Sequence, residues 1–366
     1  QKTAYEIMPS LVGSEMCIRD SNYESRGRYQ NKMDVGLFLG TQHPDGADVR
    51  RAIEDHVAQT RAARDAGFSA LWLAQHYLTY PDQFLQTTPL MGRLAAEAGE
   101  MNIGTNILIL PLHNVVDVAE QYATLDVICG GRLIMGVGLG YREVEYQNFG
   151  VDKRTRGKLF AEQIDALKLL WETDHASFSG EHVNFQDISI RPRPLQRPRP
   201  PIWIGAAANP AVKRAALMGD AWIATSVTTY SAIKEQLGFY HRCREESGLP
   251  RNSQFAKCVE LYVAETREKA MEEGGTHIAE KYRAYFSWGM GDNVPGESGK
   301  TLSLEELAHD RFVIGTPDDC IEACRAHRDE LGCSHLIVRM NFPGMPQQSV
   351  IKGIELFGRE VLPHLN

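Results

Sequence analysis

Between His113 and Arg142 the chain reads HNVVDVAEQYATLDVICGGRLIMGVGLGYR: a helix, a two-glycine stop and an apolar strand, with almost no loop between them. Val115, Val118, Tyr122, Leu125 and Cys129 recur at intervals of three and four, so one stripe of this helix is apolar and needs a surface to bury it. Gly130-Gly131 can take the left-handed conformation that ends a helix, and Leu133, Ile134, Met135 and Val137 follow at once. A helix returned to a strand through so short a turn belongs to a parallel sheet covered by helices. Beyond the strand, Gly136, Gly138 and Gly140 alternate before Tyr141 and Arg142, which leaves backbone that a ligand can approach with no Cβ in the way.

The same alternation runs through the chain from Met33 onward. Strands are expected at 35–39, 70–74, 103–110, 202–204, 222–225, 255–264 and 335–339, besides the one in the 113–142 unit. Helices are expected at 47–66, 88–98, 156–173, 210–218, 231–246, 268–286, 316–331 and 347–362, with Pro317 in a first turn. The 178–190 stretch reads as a hairpin turning at Ser179-Gly180-Glu181. The proline-dense 191–201 stretch is a stiff connector or, alternatively, a PxxP ligand; 288–302 is a Gly-rich insertion. Eight strands alternating with helices predict an α/β fold, a (β/α)8 TIM barrel with insertions, a fold whose usual length is ~250 residues and more. A doubly wound sheet is the competing arrangement. It would carry a phosphate fingerprint in its first βα turn, where Gly40-Thr41-Gln42-His43 is not one. The glycines from Gly136 to Gly140 also fail as a dinucleotide fingerprint, since Tyr141 and Arg142 follow and no helix is expected to open at once.

The formal charge of −8 and the lack of a Lys/Arg cluster argue against nucleic acid as a partner. No apolar run approaches the ~20 residues that cross a bilayer, so no membrane association is expected and a cytoplasmic location is the default. The seven cysteines form no CxxC pair and read as reduced thiols, with Cys320 and Cys324 on one core-facing side of a helix. No metal is expected: there is no HxH on the first strand and no HExxH, and GxSxG is absent too. Residues 1–32, which contain PSLVGSEMCIRDS, lack periodicity and read as adaptor-derived sequence or a disordered arm; 33–366 is then a single domain.

In a barrel the chemistry sits where strands end. The second strand exits as Gln75-His76-Tyr77, the third carries Asn106 in an apolar run, and the fourth exits as Gly138-Leu139-Gly140-Tyr141-Arg142. The fifth exits as Gly205-Ala206-Ala207-Ala208-Asn209-Pro210, which is either a phosphate cradle at a helix N-terminus or a compact turn that binds nothing. Asp126 and Arg132, at the opposite end, are expected to form a structural ion pair. Phe38 and Trp72 are expected in the core, with Phe38 near enough to an exit to meet a flat ligand.

Taken in order, LWLAQHYL (71–78), NIGTNILILPLHN (102–114), the block 119–151, RPPIWIGAAANPA (199–211) and VIGTPDDC (313–320) make the chain similar to the bacterial luciferase-like flavin-dependent monooxygenases. The resemblance implies a TIM barrel with an insertion that uses reduced FMN or the deazaflavin F420. By position, His76 matches the catalytic histidine beside the reactive face of the flavin, and Gln75 stands where luciferase has glutamate. Asn106-Ile107 matches a non-proline cis peptide behind the isoalloxazine ring. Gly138 and Tyr141 match positions near the flavin, whereas Leu139 replaces a phosphate-contacting arginine. Phosphate binding then falls to the Gly205 turn and the backbone N–H groups of Ala207 and Ala208, with Arg142 assisting. The implied activity is that of an oxidoreductase, a monooxygenase that takes reduced FMN from a separate flavin reductase and uses O2 on a small organic substrate. An F420-dependent dehydrogenase and a non-catalytic flavin-binding subunit are the alternatives, a homodimer is the implied assembly, and 288–302 is a candidate lid.

Overall fold

Eight apolar runs form parallel strands: β1 (Asp34–Leu39), β2 (Ala70–Leu73), β3 (Asn102–Thr105), β4 (Leu133–Gly138), β5 (Ile202–Ala206), β6 (Ala221–Ala224), β7 (Phe255–Val263) and β8 (His335–Arg339). Each pairs with the next, and β8 returns to β1 with Gly36 opposite Ile337, so the sheet closes into the expected barrel. The computed structural model describes residues 32–251, 254–290, 306 and 308–365. The arm expected at 1–32 lies outside the described residues except for Lys32, as does most of the 288–302 insertion.

The barrel interior is a packed layer of Phe38, Trp72, Ile134, Trp203, Ile223 and Ile337. Trp72 fits because its two neighbouring strands present glycine: a Cβ on Gly36 or on Gly104 would fall 2.4 Å from the indole. The Trp72 and Trp203 rings lie 5.4 Å apart and fill the centre.

Outside run α1 (Val49–Asp65), α2 (Thr87–Ala95), α3 (Val115–Ile128), α4 (Glu143–Asn148), α5 (Arg156–Glu172), α6 (Asn209–Met218), α7 (Tyr230–Glu246), α8 (Thr276–Ser287), α9 (Pro317–Asp329) and α10 (Gln347–Glu360). Asn114 caps α3, and Thr316 with Asp319 makes a capping box for α9. Cys320 and Cys324 both face the core, and the described cysteines are unpaired thiols. Among the described residues no helix is long and apolar enough to cross a membrane, and no group of three or more His, Cys, Asp or Glu side chains could hold a metal ion.

Three expectations about the elements need correction, and one about an ion pair. The third strand is not continuous: pairing stops at Thr105, passes a cis Asn106-Ile107 peptide, and resumes at Leu108–Ile109 against Val137 and Gly138. The helix expected at 268–286 is interrupted at Met271–Gly275, where Gly274 lies so close to Tyr262 that a Cβ would fall 2.6 Å from the ring. A helix does open directly after Arg142, as α4.

Asp126 is structural, but its partner is not Arg132. Its carboxylate accepts N–H bonds from Leu195 (2.7 Å), Gln196 (3.0 Å) and Leu133 (3.4 Å) and from Gln196 Nε2 (2.7 Å), and so holds the proline-dense connector against the barrel end. Arg132 bonds the carbonyl of Gly99 at 2.7 Å. An Asp126→Ala protein should lose about 3 kcal/mol of unfolding free energy in urea, since buried donors lose a charged acceptor.

Two buried histidines give the barrel a pH dependence. Burial pushes His56 and His327 down to about 4, from an ordinary value of 6.5. Both stay neutral when folded while the unfolded chain binds protons below 6.5, so stability is full above 6.5 and falls as pH drops toward 4. The loss should reach up to about 3 kcal/mol for each histidine, read as the urea midpoint at pH 7.5 against pH 4.5. His56→Gln should flatten that slope.

Candidate active site

The strand exits meet at one rim of the barrel. After β2 the chain continues as Ala74, Gln75 and His76, and α2 fixes this turn through Thr87 Oγ1 to the Ala74 carbonyl and Gln86 Nε2 to the His76 carbonyl at 3.0 Å. Gln75 is occupied in holding the fold: its Oε1 accepts from the Ile109 N–H (3.1 Å) and His113 Nε2 (2.9 Å), and its Nε2 donates to the Tyr77 hydroxyl at 2.9 Å.

His76 is buried, and its Nδ1 lies 3.0 Å from Glu145 Oε1 on α4. The same oxygen accepts the Tyr77 N–H at 2.9 Å and an Arg142 guanidinium N–H at 3.3 Å. Burial alone would raise the Glu145 carboxyl, but the bonds from His76 and Tyr77 and the charge of Arg142 outweigh it and hold the pKa below its ordinary value. A carboxylate on Nδ1 keeps the proton there and leaves Nε2 as the nitrogen available for chemistry. Arg142 completes the link by donating to the carbonyls of Tyr77 and, at 3.0 Å, Leu78; its guanidinium lies 4.5 Å from the Trp288 ring centroid.

Aromatic rings surround His76 edge-on: Tyr141 at 5.5 Å, Phe84 at 5.6 Å, Trp288 at 5.8 Å and Tyr285 at 6.0 Å between centroids. The buried Tyr141 hydroxyl has no hydrogen-bond partner, and burial, with Tyr285 and Glu145 nearby, pushes its pKa well up.

The glycine-rich exit of β4 has a second reason to exist. A Cβ on Gly136 would fall 1.8 Å from the Thr105 carbonyl oxygen, on Gly138 2.9 Å from Ile107 Cδ1, and on Gly140 2.7 Å from Ile109 Cγ2. From β5, a Cβ on Gly205 would fall 2.6 Å from Ile107 Cγ2. Gly138 and Gly205 thus enclose the residue that follows the cis peptide, and Asn106 stands beside it at the rim. Ala208 precedes α6 with no side-chain cap, and Gln236 Nε2 anchors this turn to the Ala207 carbonyl at 2.6 Å.

A second charged cluster faces the same mouth from β7, β8 and α8. The buried Glu260 carboxylate accepts from Lys281 Nζ and from Ser226 Oγ at 2.7 Å, and Arg339 Nε stands 3.9 Å from its other oxygen. Burial would raise Glu260, yet Lys281 and Arg339 hold it below its ordinary value; burial pushes Lys281 down to about 8. The Arg339 guanidinium lies 3.8 Å from the Phe38 ring centroid, so Phe38 floors the mouth while belonging to the core.

The structure therefore brings His76, Gln75, Tyr141 and Arg142 together, and places Asn106, Gly138 and Gly205 around Ile107. Ala207 and Ala208 stand at the start of α6. Sequence reasoning missed Glu145, because no helix was expected there, although Glu143 and Glu145 just after Arg142 are the acidic first turn of one. It also passed over Lys257 and Glu260, whose charges inside an otherwise apolar, fully buried strand were the available signal.

The model of the luciferase-like monooxygenase family matches residues 33–335. The oxygenase component of a flavin-dependent trigonelline monooxygenase from Acinetobacter baylyi is 28% identical over 315 residues, 81% of this chain and 86% of that one. An F420-dependent glucose-6-phosphate dehydrogenase from Nakamurella multipartita is 26% identical, covering 83% and 90%. The FMN complex of the oxygenating constituent of 3,6-diketocamphane monooxygenase from Pseudomonas putida superposes with a TM-score of 0.74 at 18% identity, covering 91% of this chain and 98% of that one. The chain belongs to the luciferase-like monooxygenase family.

Proposed function

We propose that this protein is the oxygenase of a two-component system, which takes reduced FMN from a separate flavin reductase and uses O2 to oxygenate a small organic substrate. The observation that carries this reading is His76, held through Nδ1 by Glu145, with Nε2 left for an aromatic-lined mouth. The residues present fit a flavin: a glycine-lined wall stands at Ile107, the buried Tyr141 hydroxyl lacks a partner, and the uncapped start of α6 offers N–H groups to a phosphate. When bound, reduced FMN supplies the two electrons that reduce O2, one oxygen atom entering the substrate and the other leaving as water.

Asn106, Gly138 and Gly205 would set the back of the ring pocket, and Ala207 and Ala208 would bind the phosphate through their backbone. Arg142 is committed to the Tyr77 and Leu78 carbonyls and would serve the site by holding α4, with Gln75 steadying the β2 exit beside it. Phe84, Tyr141, Tyr285 and Trp288 would exclude water. His76 Nε2 would exchange a proton with the reacting oxygen.

Anaerobic titration with reduced FMN and with reduced F420, followed by admission of oxygen, tests the assignment. Tight FMN binding with oxygen-dependent oxidation of the flavin is expected. Tight F420 binding without oxygen reactivity would move the assignment to a dehydrogenase, the reading that the glucose-6-phosphate dehydrogenase relative favours. His76→Ala should bind FMN within about threefold of the parent while losing at least about 100-fold in product formation; unchanged product formation would sink the catalytic role. Glu145→Gln keeps an acceptor for Nδ1 but not the charge, and should lower kcat about tenfold with KM little changed.

A further inference from the structure

Resting on that reading and naming a substrate class for it, we propose that Arg339 and Lys281 form an anion subsite that receives a carboxylate on the substrate. Arg339, Lys281, Thr41, Gln42, Tyr285 and Asn341 line a cavity at the exits of β1, β2 and β8. The cavity measures about 10 Å³, the room of about one water.

Two of its donor atoms are buried without hydrogen-bond partners, Thr41 Oγ1 and Arg339 Nε, the latter 3.9 Å from the equally unpartnered Glu260 Oε2. Their residues are 1% and 7% exposed, so water does not satisfy them from outside. Buried orphan groups of this kind cost free energy unless a ligand completes them. The charge balance states what the ligand must be. Among the described residues Glu260 is the one carboxylate in contact with Lys281 and Arg339, which leaves one cation in excess. A buried excess of positive charge asks for an anion.

The subsite also sits correctly for the chemistry. Tyr285 lines the cavity and meets His76 edge-on at 6.0 Å, so a molecule anchored on Arg339 by its carboxylate would extend toward Nε2 of His76. Phe38, 3.8 Å beneath the guanidinium, holds Arg339 in place for bidentate binding.

The test is binding by calorimetry of acetate and benzoate, each against its amide of equal shape, at constant ionic strength, with and without reduced FMN under anaerobic conditions. Each acid should bind at least tenfold more tightly than its amide. Arg339→Met should reduce that preference below twofold, and Arg339→Lys, which keeps the charge and guards against a folding defect, should retain a measurable part of it. Lys281→Met should weaken it partially. Equal binding of acid and amide, no binding of either acid up to about 50 mM, or a preference that survives Arg339→Met would overturn the proposal. If the cations instead balance the anion of reduced FMN, Arg339→Met will weaken reduced FMN far more than oxidised FMN and no acid-over-amide preference will exist, which also overturns it. Because acetate and benzoate are tested on the flavin-free protein as well, failure of FMN to bind would refute the oxygenase reading without deciding the subsite.

Discussion

The Glu145 carboxylate joins the exits of β2 and β4, and the geometry of the mouth depends on it. One of its oxygens gathers His76 Nδ1, the Tyr77 N–H and the Arg142 guanidinium. Arg142 in turn holds two carbonyls of the loop that follows His76. Without that carboxylate a guanidinium would be buried with no counter-charge, His76 could rotate, and the start of α4 would lose its tie to the neighbouring strand. A buried ion pair is a poor source of net stability, but here it fixes one tautomer and one orientation of an imidazole, which a hydrophobic replacement could not do.

The mouth is electrostatically divided. On the β2–β4 side a carboxylate is matched by one guanidinium and one imidazole; on the β7–β8 side a carboxylate faces two cations. Between them lie aromatic edges and the glycine-lined wall at Ile107, which are uncharged. A ligand bound across this gap meets the His76 imidazole at one end and fixed positive charge at the other. Low dielectric between the two makes both interactions stronger than they would be in water.

The barrel was legible because its signals are local. Strand β8 falls at 335–339 as expected, and α5, α6 and α7 lie within a residue or so of expectation, since an apolar period and a capping residue report on the element that contains them. The place of His76 at a strand exit was legible for a similar reason, as a polar residue directly after an apolar run. The partners of these residues were not. Glu145 lies 69 positions from His76, and Arg339 lies 79 positions from Glu260, so only the closed sheet brings them together. The same limit explains Asp126. Its structural role followed from its place at the far end of the barrel, but its partner, Gln196, is supplied by a connector whose path the sequence does not state.

The glycines at the β4 exit show how one residue pattern can serve packing and function together. Gly136, Gly138 and Gly140 are required by β3 and the segment that follows it, which approach so closely that Thr105, Ile107 and Ile109 occupy the space of their missing side chains. That approach is also what sets a flat wall at Asn106-Ile107 and keeps Cβ atoms out of the mouth on this side. A ligand-approach reading and a packing reading of these glycines are therefore not rivals. The strand needs them in order to pass, and because it passes there, the wall a planar ring would rest against is made of backbone and one isoleucine. Substituting any one of the three would move β3 before it touched a ligand, so loss of flavin binding in such a variant would report on the wall rather than on a missing contact.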